Sequence, residues 1–418
     1  MTTYSLLVLA VVIGMFLIRL ALNILDYQHR HQPVPENVKD IYSKQQYNKW
    51  LNYEMANFRF GFITQGFNLV LIVLMLVTGG FAWVADLAAS WTSNALLAQL
   101  MFFLILILAK QLLDTPFEYY QTFVIEEKFG FNKTTKQTFF VDIVKNILLS
   151  GVLGGVLVSG LFWLINVFAE QLPLFVLGVW IALAVVLVLI ATFNGLLVRV
   201  FYKLVPLPEG TLRQRIEDMA SGVGFRLRRI FVMEASSRST KLNAFFSGLG
   251  RTKEIVLFDT LLNKMSEEEV LSVMAHEIAH SVHKDVHRMI AENIVVFGVY
   301  ASLLGWIFQT PEFALAFGFD QAHFGFNLIL FTVLISPVSF VVSLPRMYLS
   351  RKAEFKADAY SATKIDKQHM ISALRVLAKE DLSNLNPHPL FVKMFYSHPP
   401  MSERLAALEQ LPSLTPQS

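Results

Sequence analysis

A chain of 418 residues that is 54% hydrophobic and only 16% charged has too little polar surface to cover a soluble core of its size. The net charge of +3 points to no nucleic-acid partner, because no basic face is interleaved with aromatics. The absence of cysteine excludes disulfides, thiolate metal sites and cysteine nucleophiles, so any metal must be held through nitrogen and oxygen.

The first predicted element covers 4–25. It lacks a basic leader and a clear cleavage site, so it reads as a retained span and not a signal peptide, with Arg19 snorkelling or facing protein. The runs 61–85, 87–109, 146–169, 171–198 and 321–345 contain no Asp, Glu, Lys or Arg. Each is long enough to cross a hydrocarbon core about 30 Å thick. Residues 289–311 are interrupted but of spanning length, which makes seven predicted membrane helices. Pro311 and Pro345 fall near predicted helix ends, and Pro337 inside the seventh span predicts a kink there.

Positive charge is distributed unevenly among the connecting segments. Segments 26–60, 110–145, 199–288 and the tail from 346 hold 34 of the 35 Lys and Arg residues, whereas 86–93, 170–174 and 312–324 hold none. The positive-inside rule places the first group in the cytosol, the N-terminus outside and the C-terminus inside. No solenoid-like repeat occurs.

The soluble mass divides into two pieces, one between spans five and six and one after span seven. In the first, 211–225 has helical periodicity, and 228–236 and 252–262 have the pattern of strands. Between them, "SSRSTKLNAFFSGLG" reads as a turn, a short strand and a Gly-rich turn. Ser266 with Glu269 three residues on is a capping box, predicting a helix over 267–287 that runs almost directly into span six. The second piece reads as helices over "RKAEFKADAYSATKI", "KQHMISALRVLAKEDL" and "MSERLAALEQL".

The helix over 267–287 carries four histidines. His276 and His280 are four apart and can aim both imidazoles at one cation, with Glu277 beside them. This His-Glu-x-x-His pattern is that of zinc peptidases, in which two histidines bind the metal and the glutamate is the general base. The metal lowers the pKa of water from 15.7 toward 7 and polarises the carbonyl, and the glutamate accepts the proton. On a straight helix His283 lies about 10 Å and His287 about 16 Å from His276, too far to share its ion. Val282 and Val286 occupy the positions where metzincins have Gly and His. A third ligand is expected from "RKAEFKADAY", where Glu354 supplies a carboxylate just past span seven and Asp358, one turn on, can fix the tautomer of a ligand histidine.

These motifs, together with "PFEYYQTFVIEEKFGFNKTT", "LVPLPEGTLRQRIEDMA", "KLNAFFSGLGRTKEIVLFDTLL" and "SHPPMSERLAAL", resemble the integral-membrane zinc endopeptidases typified by the CAAX prenyl proteases of the a-factor-converting type. The resemblance covers nearly the whole chain. It implies a mainly α polytopic membrane protein whose seven transmembrane helices enclose a water-filled chamber, capped by a cytosolic α+β zinc protease domain. It carries over His276, His280 and Glu354 as zinc ligands, Glu277 as base and Asp358 as the carboxylate behind a ligand. It also implies that Asn243 and Ala244 pair with extended substrate, that His398 steadies the oxyanion, and that Arg404 orders that segment. Ala279 replaces a glycine common in the family motif. The shorter length around spans six and seven, the missing dilysine tail and the lack of cysteine point to a bacterial cytoplasmic membrane, or the endoplasmic reticulum in a eukaryote.

The expected division is therefore 1–198 for spans one to five with loops 26–60 and 110–145, 199–288 for the first protease segment, 289–350 for spans six and seven, and 351–418 for the second. The expected activity is zinc-dependent hydrolysis of peptide bonds with one Zn2+ per chain. Its partners are membrane lipid and a peptide or protein substrate, with prenylated CAAX-type C-termini implied by the resemblance. Alternative readings are a membrane quality-control protease, whose relatives usually have four spans, and a metal transporter, which would need ionisable residues inside the spans. A catalytically inactive scaffold conflicts with the intact Glu277.

Overall fold

The computed structural model describes residues 2–168, 170–225, 227–247 and 253–413. The membrane half begins with α1 (Thr3–His29), α2 (Lys44–Val77), α3 (Gly80–Ser90), α4 (Ala95–Tyr120), α5 (Lys136–Phe168) and α6 (Leu172–Phe201). The first soluble segment holds β1 (Leu204–Pro206), α7 (Thr211–Ser221), β2 (Arg229–Met233), β3 (Ala244–Ser247), β4 (Glu254–Phe258), α8 (Asp259–Lys264) and α9 (Glu267–Val282). Then follow α10 (Asp285–Phe308), α11 (Glu312–Leu315), α12 (Phe324–Lys364), α13 (Lys367–Glu380), α14 (Pro389–Phe395) and α15 (Met401–Glu409).

Among the described residues seven helices are long and apolar enough to cross a membrane: α1, α2, α4 with its continuation to Glu126, α5, α6, α10 and α12. Their number and order match the sequence reading; several boundaries do not. The helix predicted from the run 61–85 starts at Lys44 under a Ser43–Gln46 capping box and ends at Val77. Gly79 then takes φ 70°, a conformation glycine reaches without steric cost, and the chain re-enters helix as α3. Pro345 is not near a helix end, because α12 runs unbroken through Pro337 and Pro345 to Lys364. Spanning helices tolerate proline when neighbouring groups satisfy the freed carbonyls. α6 and α10 approach closely at Gly305, where a Cβ would lie 2.8 Å from both Leu172 and Val176.

The helix predicted over 267–287 is two helices. α9 stops at Val282, Lys284 adopts the left-handed conformation at φ 58°, and α10 starts at Asp285. The Ser266–Glu269 capping box is present as expected. The sheet has the order β1-β2-β4-β3, with β2 and β4 parallel and the outer pairs antiparallel. The two predicted strands appear as β2 and β4, the second giving way to α8 at Asp259. The Gly-rich turn read at 248–250 lies outside the described residues.

One core binds sheet to helix: Ile230, Val232, Ile255 and Leu257 pack with Leu271 and Met274 of α9 and Ala373 of α13. A second joins Val38, Trp50 and Tyr53 to Phe129, Phe131, Leu374 and Leu405. The tail is thereby fastened to the segments around spans two and three. At the other end of the bundle Phe81, Phe102, Phe313 and Phe326 form an aromatic core.

Candidate metal centre

α9 and α12 are held face to face, with the Ser361 hydroxyl donating to the Ser272 carbonyl at 2.7 Å inside the contact. The contact places Glu354 opposite the two histidines one turn apart on α9. His276 Nε2 and His280 Nε2 are 3.3 Å apart. Glu354 Oε2 lies 3.4 Å from His276 Nε2, and Oε1 lies 3.3 Å from His280 Nε2. Donor atoms held 2.0–2.1 Å from a tetrahedral zinc stand about 3.3–3.4 Å from one another. The three side chains therefore fit one small cation, and they are the metal-competent group found among the described residues.

Two further observations favour a cation. Glu354 is 4% exposed and its Oε2 accepts no hydrogen bond; Arg404 Nη1 stands 3.7 Å away, beyond hydrogen-bond reach, so a directly bound cation would satisfy this buried oxygen. His276 Nδ1 is 2.8 Å from Asp358 Oδ1, and that contact turns Nε2 toward the site. Asp358, 2% exposed, is gripped by Arg404 of α15, which donates from Nε at 2.8 Å and Nη2 at 2.6 Å. Burial pushes His276 toward its neutral form, but Asp358 and Glu354 outweigh it and raise the imidazole to about 9. A metal must displace that proton, so its affinity falls as pH falls. Glu277 is half-buried, and desolvation raises its carboxyl above the ordinary range, toward the value a general base needs near neutral pH.

Residues 206–411 match Peptidase family M48, and residues 23–194 match the CAAX prenyl protease N-terminal region of five membrane helices. The CAAX prenyl protease 1 homolog of Oryza sativa subsp. japonica is 32% identical over 97% of each chain. The chain belongs to peptidase family M48. CAAX prenyl protease 1 of Saccharomyces cerevisiae is 32% identical, covering 90% of this chain and 88% of its own. The crystal structure of S. mikatae Ste24p superposes with a TM-score of 0.92 at 30% identity, covering 98% of this chain and all of that one. This M48 protein is thus a polytopic membrane metalloendopeptidase.

The remaining predicted residues of this M48 chain take distinct places. His398, largely exposed, brings Nδ1 to 2.8 Å from Glu354 Oε2 without the alignment of a hydrogen bond. It therefore reaches the candidate centre against Glu354. Asn243 and Ala244 lie at the start of β3, which touches α9. His283 and His287 are exposed and take no part, and the His283 ring rests edge-on against Tyr360 at 5.9 Å.

Sequence reasoning missed Asp285. Its Oδ2 lies 2.9 Å from His280 Nδ1 and orients this imidazole as Asp358 orients that of His276. On an unbroken helix a residue five positions on would point away from His280. The left-handed Lys284 brings it back, and no Gly or Asn marks that turn in the sequence. Replacing Asp285 with Asn is expected to weaken metal binding by about 10- to 100-fold in a chelator competition. An unchanged affinity would show the contact to be incidental.

Proposed function

We propose that this chain is a zinc endopeptidase acting on prenylated CAAX-type C-terminal peptides, with His276, His280 and Glu354 as ligands. The observation that carries the metal assignment is that the two Nε2 atoms stand 3.3 Å apart and each lies 3.3–3.4 Å from one of the two Glu354 oxygens. An all-nitrogen-and-oxygen set of three protein ligands suits catalytic zinc, which keeps a fourth position open. When bound, zinc supplies a Lewis acid that polarises the scissile carbonyl and acidifies water. Glu277 takes the proton from the attacking water and passes it to the leaving amine. Asp358 and Asp285 hold the imidazoles in one tautomer, Arg404 holds Asp358, and His398 is placed to move from Glu354 toward a developing oxyanion. Asn243 and Ala244 offer a strand edge to extended substrate.

The prenyl assignment draws on the names of the relatives, a CAAX prenyl protease 1 in yeast and its homolog in rice. A hollow bundle is supported by how little its wall is packed: the spanning windows of α2, α4 and α5 are 6%, 6% and 0% buried. A solid bundle would bury one face of each helix. We place the site in the cytosol, since 34 of the 35 basic residues lie on that side of the seven spans. The protease unit is then assembled from 199–288 and 351–418.

The purified protein is expected to carry one zinc per chain, and a His276→Ala/His280→Ala variant none. A farnesylated CAAX peptide is expected to be cut with a kcat/KM about tenfold or more above its unprenylated form, as the burial of a long apolar group allows. Equal values for the two peptides would sink the prenyl assignment.

A further inference from the structure

His398 stands largely in the open, its side chain 64% exposed. Its place against Glu354 is therefore set less by packing than by the main chain on either side of it. Downstream, Pro399 and Pro400 restrict the backbone. The Pro400 carbonyl then accepts the N–H of Arg404, whose side chain grips Asp358. Upstream, the loop leaves α14 at Tyr396, the residue that ends that helix.

Arg351 closes this upstream end. It lies on α12 one turn before Glu354, and its Nη1 donates to the Val392 carbonyl at 2.9 Å and to the Tyr396 carbonyl at 2.7 Å. Both oxygens sit at the C-terminal end of α14, where carbonyls lack partners inside the helix and a cation is favoured. Arg351 meets no carboxylate among the described residues, so these carbonyls are its partners. Residues 351, 354 and 358 are spaced i, i+3 and i+7 and share one face of α12. On that face they meet Tyr396, His398 and Arg404 in the same order. α12 thus carries a seat with three points of contact for the loop that presents His398.

We propose that Arg351 is a positioning residue for hydrolysis: by holding the Tyr396 carbonyl it fixes His398 where the imidazole can reach the developing oxyanion. The inference rests on the proposed role of His398. The two arginines of the seat differ in kind. Arg404 neutralises a buried carboxylate, whereas Arg351 is half-buried and binds neutral carbonyls, so its loss strands no charge. Nor is α14 released without it. The His388 N–H donates to Asp26 Oδ1 of α1 at 2.7 Å, and the Phe395 ring lies 6.3 Å from that of Phe340 on α12. Removing the guanidinium loosens the end that leads to His398 while the helix stays docked. A group displaced by about 1 Å can forfeit rate on the order of 10²-fold.

The test measures kcat, KM and metal content for one peptide on the full-length, metal-loaded protein and its variants. His398→Ala is expected to lower kcat about 10²- to 10³-fold, as loss of an oxyanion donor does. Arg351→Met should lower kcat about 10- to 100-fold, with KM within about twofold of wild type and metal retained. One nitrogen serves both carbonyls, so Arg351→Lys, which keeps a cationic donor, should recover most of that loss. Adding Arg351→Met to His398→Ala should cost no further factor, because a residue acting through another has nothing left to position. Losses that multiply in the double variant would overturn the assignment. So would a wild-type kcat in folded Arg351→Met, or a loss that lies in KM or in metal content. If Arg351→Met does not fold, Arg351→Gln, whose shorter amide cannot serve both carbonyls, takes its place in the cycle with the same outcomes. Full kcat in His398→Ala overturns the oxyanion role beneath the inference; a loss there with none in the Arg351 variant overturns the positioning role alone.

Discussion

Replacing Glu277 with glutamine is expected to leave metal content at the wild-type level and to lower peptide cleavage by about 10²- to 10⁴-fold. Glutamine fills the same space on α9 but cannot accept a proton. Glu277 ligates nothing in the arrangement of His276, His280 and Glu354, so its loss should not cost the ion. Desolvation raises the Glu277 carboxyl above the ordinary range, which favours its proposed role as a base. Metal analysis and kcat/KM on one preparation check both halves. Full activity in the variant would remove Glu277 from the mechanism, and loss of metal together with activity would make it a ligand.

The second large effect concerns stability. Arg404 and Asp358 form a doubly hydrogen-bonded ion pair with side chains only 10% and 2% exposed. Truncating one partner of such a pair leaves the other charge buried and unpaired, at a cost of about 3–5 kcal/mol. Arg404→Met is therefore expected to lower the thermal unfolding midpoint sharply in detergent. Adding Asp358→Asn should recover part of the loss, because the stranded charge is gone, but it should not recover metal affinity, since His276 Nδ1 then faces a weaker acceptor. An unchanged midpoint in the single variant would show that α15 is not fastened through this pair.

How far these features could be read from the sequence depended on how local their causes are. Five of the seven spans follow from charge-free runs and the other two from interrupted runs of spanning length, because the bilayer demands a long apolar stretch. Their true ends do not, since α2 begins in polar sequence at Lys44 and α12 continues into "RKAEFKADAYSATK" after its apolar part ends. His276, Glu277 and His280 were legible because residues four apart on a helix share a face, and Glu354 and Asp358 by the same rule. Asp285 was not, because it depends on a left-handed lysine that no residue type announces. Arg404 meets Asp358 across 46 residues, and only the family resemblance pointed to it. The Asn132–Ser239 bridge and the Leu242 N–H that donates to Asp381 join three distant segments, and no spacing within any one of them reveals that union.

The order of the donors along the chain has a consequence for biosynthesis. His276 and His280 precede spans six and seven, Glu354 lies at the far end of the last span, and the arginine that secures Asp358 comes later still. A nascent chain that has made α9 but not α12 holds two of three metal donors and no partner for the His276 Nδ1. The proposed centre is therefore complete only once the last membrane helix is in place and Arg404 of α15 has met Asp358.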